Sequence, residues 1–295
     1  MPRMPRQVIG AIAARQAKRS GLHDPPVDAI FPPGPTQGDA MGFLDWLTRK
    51  KEAADDGEGA ESRFTDKNVA KLHKKLMNKW YQTMERKRVI QLLAQLGSEE
   101  AVTALLGRFT YVTDGSIVDE DEKSIVYEIL LDMGGRSVPS LRRFILTEPA
   151  IYWPLKALTE IEGEEVAVDT LLEALDGITD RWERSMERMH SLVQSLRDYH
   201  SDKVLARLVD LATDENEEIR FLAVDGLSTF DSKQQAVDTI IERLLDDGET
   251  TRIKTFIMDM LMERKWRVRK YKKELAGKLP ETYFVDDTGT IQRKY

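Results

Sequence analysis

The chain has 295 residues, 41% hydrophobic and 32% charged, and no cysteine. That apolar content is enough to bury a core, and the lack of cysteine excludes disulfide staples, thiolate catalysis and cysteine-ligated metal centres. The net charge of −7 conceals an asymmetry: residues 89–263 hold 36 acidic and 17 basic residues, a net of −19, while residues 1–88 and 264–295 each carry +6. An acidic body flanked by two basic ends is therefore expected.

Residues 1–40 are rich in Arg, Ala, Pro and Gly, and Asp24-Pro25-Pro26 and Phe31-Pro32-Pro33-Gly34-Pro35 forbid a continuous helix. A disordered basic arm is expected there. Met41 opens Met41-Gly42-Phe43-Leu44-Asp45-Trp46-Leu47-Thr48-Arg49-Lys50-Lys51, which reads as a natural start of bacterial type, with the arm upstream of it. Residues 41–64 then comprise this short amphipathic piece and an acidic linker over 52–62. The stretch Phe43–Leu47 is about two turns long and would touch a membrane surface only weakly. No apolar run approaches the length of a spanning helix, and residues 7–14 lack the sustained apolar region of a secretory signal, so a cytoplasmic protein is expected.

From Phe64 onward apolar residues recur at three- and four-residue spacing, with breaks at Gly, Asp, Asn and Pro. The segments resemble one another. Leu96, Met133, Ile161, Tyr199, Phe230 and Met262 each close a helix, at steps of 37, 28, 38, 31 and 32 residues. Three positions before the first five closures stand Leu93, Leu130, Leu158, Leu196 and Leu227; the sixth unit departs, with Asp259. A second apolar stripe opens after each closure at Val102, Val138, Val166, Val204, Val237 and Val268. Each unit is thus helix, tight turn, helix, longer turn. One such hairpin leaves an apolar face uncovered, which the next covers.

The run Asp214-Glu215-Asn216-Glu217-Glu218-Ile219-Arg220-Phe221-Leu222-Ala223-Val224-Asp225-Gly226-Leu227 resembles the HEAT-repeat signature, and Pro154-Leu155-Lys156-Ala157-Leu158-Thr159-Glu160-Ile161 echoes it. The resemblance implies an all-α, right-handed α-solenoid of about five to six hairpins over residues 65–276. It implies a function in binding another macromolecule, and an Arg220–Asp214 pair that ties adjacent repeats. In the tail, residues 277–295, Thr282-Tyr283-Phe284-Val285 and Thr290-Ile291-Gln292 flank Asp286-Asp287-Thr288-Gly289, the pattern of a small hairpin or extended arm.

Catalytic chemistry finds little purchase. His23, His73, His190 and His200 have no ligand spacing, and the His-Glu pairs of the HEAT-type deoxyhypusine hydroxylases are missing. Asp119-Glu120-Asp121-Glu122 lacks the alternation of a calcium loop and reads as a solvated acidic turn. The HEAT-like alkylpurine DNA glycosylases need a basic concave face, whereas this body is acidic. No metal and no cofactor is expected. Trp80, Trp153, Trp182 and Trp266 fall on or beside repeat helices, and Trp153 and Trp182 are candidate anchors for a partner, as is Arg220. Lys67, Lys71, Lys74, Lys75, Lys79, Arg86, Lys87 and Arg88 crowd the first helices, and Trp266, Arg267, Arg269 and Lys270 lie in a basic block on the last. These blocks cap the array or meet an acidic partner. The leading expectation is a monomeric, non-enzymatic scaffold for a protein partner. The alternatives are nucleic-acid binding through the basic ends, and a HEAT-like enzyme related to the phycobiliprotein lyases.

Overall fold

The computed structural model describes residues 64–294. The expected arm, the amphipathic piece with Trp46, the linker and His23 lie outside the described residues. The chain divides into the units Met1–Lys71 and Leu72–Tyr295, and the packed array of residues 83–294 belongs wholly to the second.

Of the described residues 69% are helical, in thirteen α-helices with three short 3₁₀ turns between them, and one two-stranded sheet closes the chain. The helices are α1 (Lys67–Leu76), α2 (Thr83–Leu96), α3 (Glu99–Leu106), α4 (Ser116–Met133), α5 (Val138–Thr147), α6 (Tyr152–Glu162) and α7 (Glu164–Asp176). They continue with α8 (Glu183–Leu196), α9 (Asp202–Leu211), α10 (Glu217–Leu227), α11 (Gln234–Leu245), α12 (Thr251–Glu263) and α13 (Lys272–Ala276). Turn chemistry sets several of these starts. Ser98, Ser201, Asn216 and Thr250 stand at the N-caps of α3, α9, α10 and α12, and each side chain accepts a first-turn N–H that the helix cannot satisfy.

Packing alternates between two rows. In the even row α2, α4 and α6 contact in succession, as do α8 and α10; in the odd row α3, α5 and α7 do so, as do α9 and α11. Hairpin partners pack as α2 on α3, α6 on α7, α8 on α9 and α10 on α11. Between hairpins α5 packs on α6, α7 on α8, α9 on α10 and α11 on α12. The five leucines that recur three positions before the closures have 0% exposure, so that spacing marks the core-facing stripe of the even row. Gly226 lets α9 approach α10, because a Cβ there would sit 3.0 Å from a methyl of Leu208.

The sixth unit departs for a reason visible at its end. Asp259 accepts a hydrogen bond of 2.8 Å from the Tyr283 hydroxyl, so the position without leucine is covered by the tail. That tail is the antiparallel hairpin of β1 (Tyr283–Val285) and β2 (Ile291–Arg293), with Phe284 opposite Gln292. Its turn is closed by Asp286, which accepts from Thr288 Oγ1 at 2.6 Å and from Thr290 N–H at 3.0 Å; these bonds hold its carboxyl below the ordinary range.

Candidate partner-binding edge

Arg86 and Arg220 hold the same place, the fourth residue of α2 and of α10. Each folds back over the turn before its helix and reaches forward to a carboxylate of the next even helix or its approach. Arg220 Nη1 donates to the carbonyls of Asp214 (2.8 Å) and Glu215 (3.1 Å), while Nη2 and Nε meet Glu249 at 2.9 and 3.0 Å. Arg86 donates to the carbonyls of Lys79 and Tyr81 and meets Glu122 at 3.0 Å. The planar guanidinium suits this fork, since it serves carbonyls at one edge and a carboxylate at the other. The expected Arg220–Asp214 ion pair is therefore corrected: Arg220 takes the Asp214 backbone, and the Asp214 carboxylate pairs with Arg181 at 2.9 Å. Glu249 is buried, which by itself would raise its pKa, but Arg220 and the Thr250 N–H outweigh this and hold it low.

Around Glu122 the rung widens into a buried cluster. Arg108 and Glu122 have 0% exposure, Arg86 3% and Asp119 4%. Arg108 meets Glu122 at 2.8 Å and Asp119 at 2.7 Å, and Lys123 meets Asp119 at 2.6 Å. Burial disfavours the charged Asp119, yet the hydrogen bonds from Lys123, Arg108 and Thr113 N–H keep its carboxyl well below the usual range. Two sequence readings are corrected here. Asp119 and Glu122 are ion-paired inside α4 and not part of a solvated turn, and Arg86 belongs to this cluster and not to a surface patch.

Contacts of this kind carry the even row along its N-terminal ends. Arg86–Glu122 joins α2 to α4. Trp153 stacks on Phe109 at 6.3 Å and tilts against Tyr127 of α4 at 5.4 Å, joining α4 to α6. Arg184 at the start of α8 meets Glu148, before α6, at 3.3 Å. Arg181–Asp214 joins the approaches to α8 and α10, and Arg252–Glu218, at 2.6 Å, joins α12 to α10. The starts of all six even helices thus line one edge.

Five ion pairs link successive helices of the odd row. Arg142–Glu173, Lys203–Asp169, Arg207–Asp176, Lys233–Asp202 and Lys270–Asp238 link neighbouring units at separations of 31, 34, 31, 31 and 32 residues. The even-row edge from α2 to α8 is set apart by its exposed apolar side chains. Trp80 (77%), Met84, Val112, Ile117, Tyr152 and Trp182 (78%) are exposed, each at or just before the start of α2, α4, α6 or α8. Between them Glu85, Asp114, Glu120, Glu183 and Glu187 are exposed, with no ion-pair or side-chain hydrogen-bond partner among the described residues. A cleft of about 630 Å³ opens along the same edge, lined by Glu148, Pro149, Ala150, Glu183, Arg184 and Glu187 among others.

The candidate residues therefore part company. Trp182 is presented to solvent on this edge. Trp153 is half-buried, held by Phe109, Tyr127 and Tyr152, with Lys156 Nζ 5.4 Å from its ring centre. Arg220 is engaged in its rung, and Trp266 packs partly buried on the core. Lys270 is tied to Asp238, whereas Arg267 and Arg269 are exposed without an ion-pair partner among the described residues. Sequence reasoning did not single out Val112, Ile117 and Tyr152; their one signal is a place just at or ahead of a helix start. Among the described residues no group of three or more His, Asp and Glu could hold a metal ion, and no helix is long and apolar enough to cross a membrane. No protein-family model, curated protein or solved structure matches the chain.

Proposed function

We propose that the chain is a cytoplasmic, monomeric, HEAT-like α-solenoid of about five to six hairpins that acts as a non-enzymatic scaffold for a protein partner. The solenoid reading rests on the two rows of helices, on inter-unit ion pairs recurring every 31–34 residues, and on the matched arginines Arg86 and Arg220. The binding reading rests on one observation. Four successive even helices present large apolar side chains at their starts, and six of the nine exposed large hydrophobics among the described residues lie there. Exposed tryptophan and tyrosine are the side chains that anchor protein interfaces. Affinity capture of the tagged full chain from its nuclease-treated native lysate tests this. A stoichiometric protein partner is the expected outcome; recovery of nucleic acid alone from the untreated lysate would contradict it.

A second reading, nucleic-acid binding, is favoured by the C-terminal block. Arg264, Lys265, Arg267, Arg269 and Lys273 are exposed and lack an ion-pair partner among the described residues. A gel shift that weakens steeply with salt would support it.

A further inference from the structure

We infer that the partner segment held by the even-row edge is cationic and apolar by turns, with lysine or arginine interleaved with large hydrophobic residues. This rests on the scaffold reading and adds the chemistry of what the scaffold holds. The apolar half follows from the six exposed side chains, which run from Trp80 and Met84 through Val112, Ile117 and Tyr152 to Trp182.

The cationic half follows from the charges between them. Glu85 flanks Met84, Asp114 and Glu120 bracket Ile117, and Glu183 and Glu187 follow Trp182. None of the five has a cationic partner among the described residues. The cations of the same edge are engaged. Lys87 pairs with Asp121, Arg181 with Asp214 and Arg184 with Glu148, and Lys79 lies over the ring of Trp80 at 5.2 Å. An acidic or neutral segment would leave five carboxylates facing it unpaired or repelled. A basic one would neutralise them while its apolar residues cover the aromatic rings, and its guanidinium or ammonium groups would also find the faces of Trp182 and Tyr152.

The dimensions agree with a short linear segment. Packed helices lie about 10 Å apart, so the three packed starts of α2, α4 and α6 span about 20 Å, which about six or seven residues of extended chain would cover. At the α8 end the cleft beside Glu148, Glu183 and Glu187 is open to take a long cationic side chain next to Trp182.

A phage-displayed library of random peptides, selected on the immobilised full chain, tests this. The counter-screen uses Trp182→Ala and a Glu183→Lys/Glu187→Lys double variant, all at exposed positions, with helical content checked by circular dichroism. The expected result is enrichment of peptides mixing Lys or Arg with large apolar residues. A selected peptide should bind either variant about tenfold or more weakly, and the wild-type chain more weakly as salt rises. Enrichment of acidic or neutral peptides that still depend on Trp182 would overturn the inference and leave the scaffold reading standing. Basic peptides that bind the variants as well as the wild type would overturn the placement of the site. No enrichment would also overturn the inference, while lysate capture tests the scaffold reading separately.

Discussion

Glu122 is the acceptor for two guanidiniums at a fully buried position, so its charge matters more than its bulk. Glu122→Gln keeps the shape but leaves Arg86 without a carboxylate and Arg108 and Lys123 to share Asp119. Breaking a buried ionic group in this way costs about 3–5 kcal/mol, and urea unfolding should show a loss of that order. Arg220→Lys should cost less but still destabilise, because a lysine cannot serve two carbonyls and a carboxylate together. The same cluster sets an acid limit. The carboxyls of Asp119 and Glu249 titrate below their unfolded values, so their stabilisation is fully present above about pH 4 and is lost as pH falls toward the folded pKa. Denaturant midpoints measured from neutral pH downward should fall below about pH 4, and Asp119→Asn should flatten that fall. Little of this was legible in the sequence. Arg86 follows Asn78-Lys79-Trp80-Tyr81 and not an acidic turn, and it binds backbone carbonyls, which leave no signature in residue type.

At the scale of elements, apolar spacing read well where it recurs on a buried stripe. Leu93, Leu130, Leu158, Leu196 and Leu227 mark the even row because nothing but a helix places residues so regularly on one face. It is silent on helix starts, where Ile117 and Val112 are exposed; the first turn of a helix can point its side chains past the neighbouring unit. The C-terminal hairpin was legible from its turn residues, but the contact that ties it to Asp259 was not. Two backbone positions there give direct tests. Lys265 closes α12 with φ +54°, a conformation glycine adopts without strain. Lys265→Gly should therefore raise stability by about 1 kcal/mol in thermal or denaturant unfolding. Gly289, with φ +85°, lies where a Cβ would come within 2.8 Å of Arg269 Cβ, and its carbonyl accepts the Val268 N–H at 2.8 Å. Gly289→Ala should loosen the hairpin, and faster hydrogen exchange at Val268 and Thr290 would report it.

At the scale of the molecule, the proposed binding edge is distinguished by its exposed apolar side chains. One row of helices uses its charges to fix neighbouring units in register. Exposed pairs of this kind add little stability, so moderate salt should leave unfolding midpoints almost unchanged. The edge from α2 to α8 keeps unpaired carboxylates and solvent-exposed rings instead. The sequence announced the acidic body and the tryptophans but not which of them share an edge, since Trp153 and Trp182 look equivalent until packing half-buries one and presents the other. The sharpest test of this edge is parallel affinity capture with the wild-type chain and a Tyr152→Ala/Trp182→Ala variant of unchanged melting midpoint. A protein partner should be retained by the first and lost by the second. Equal recovery of that partner on both would contradict the assignment of this edge as the binding surface.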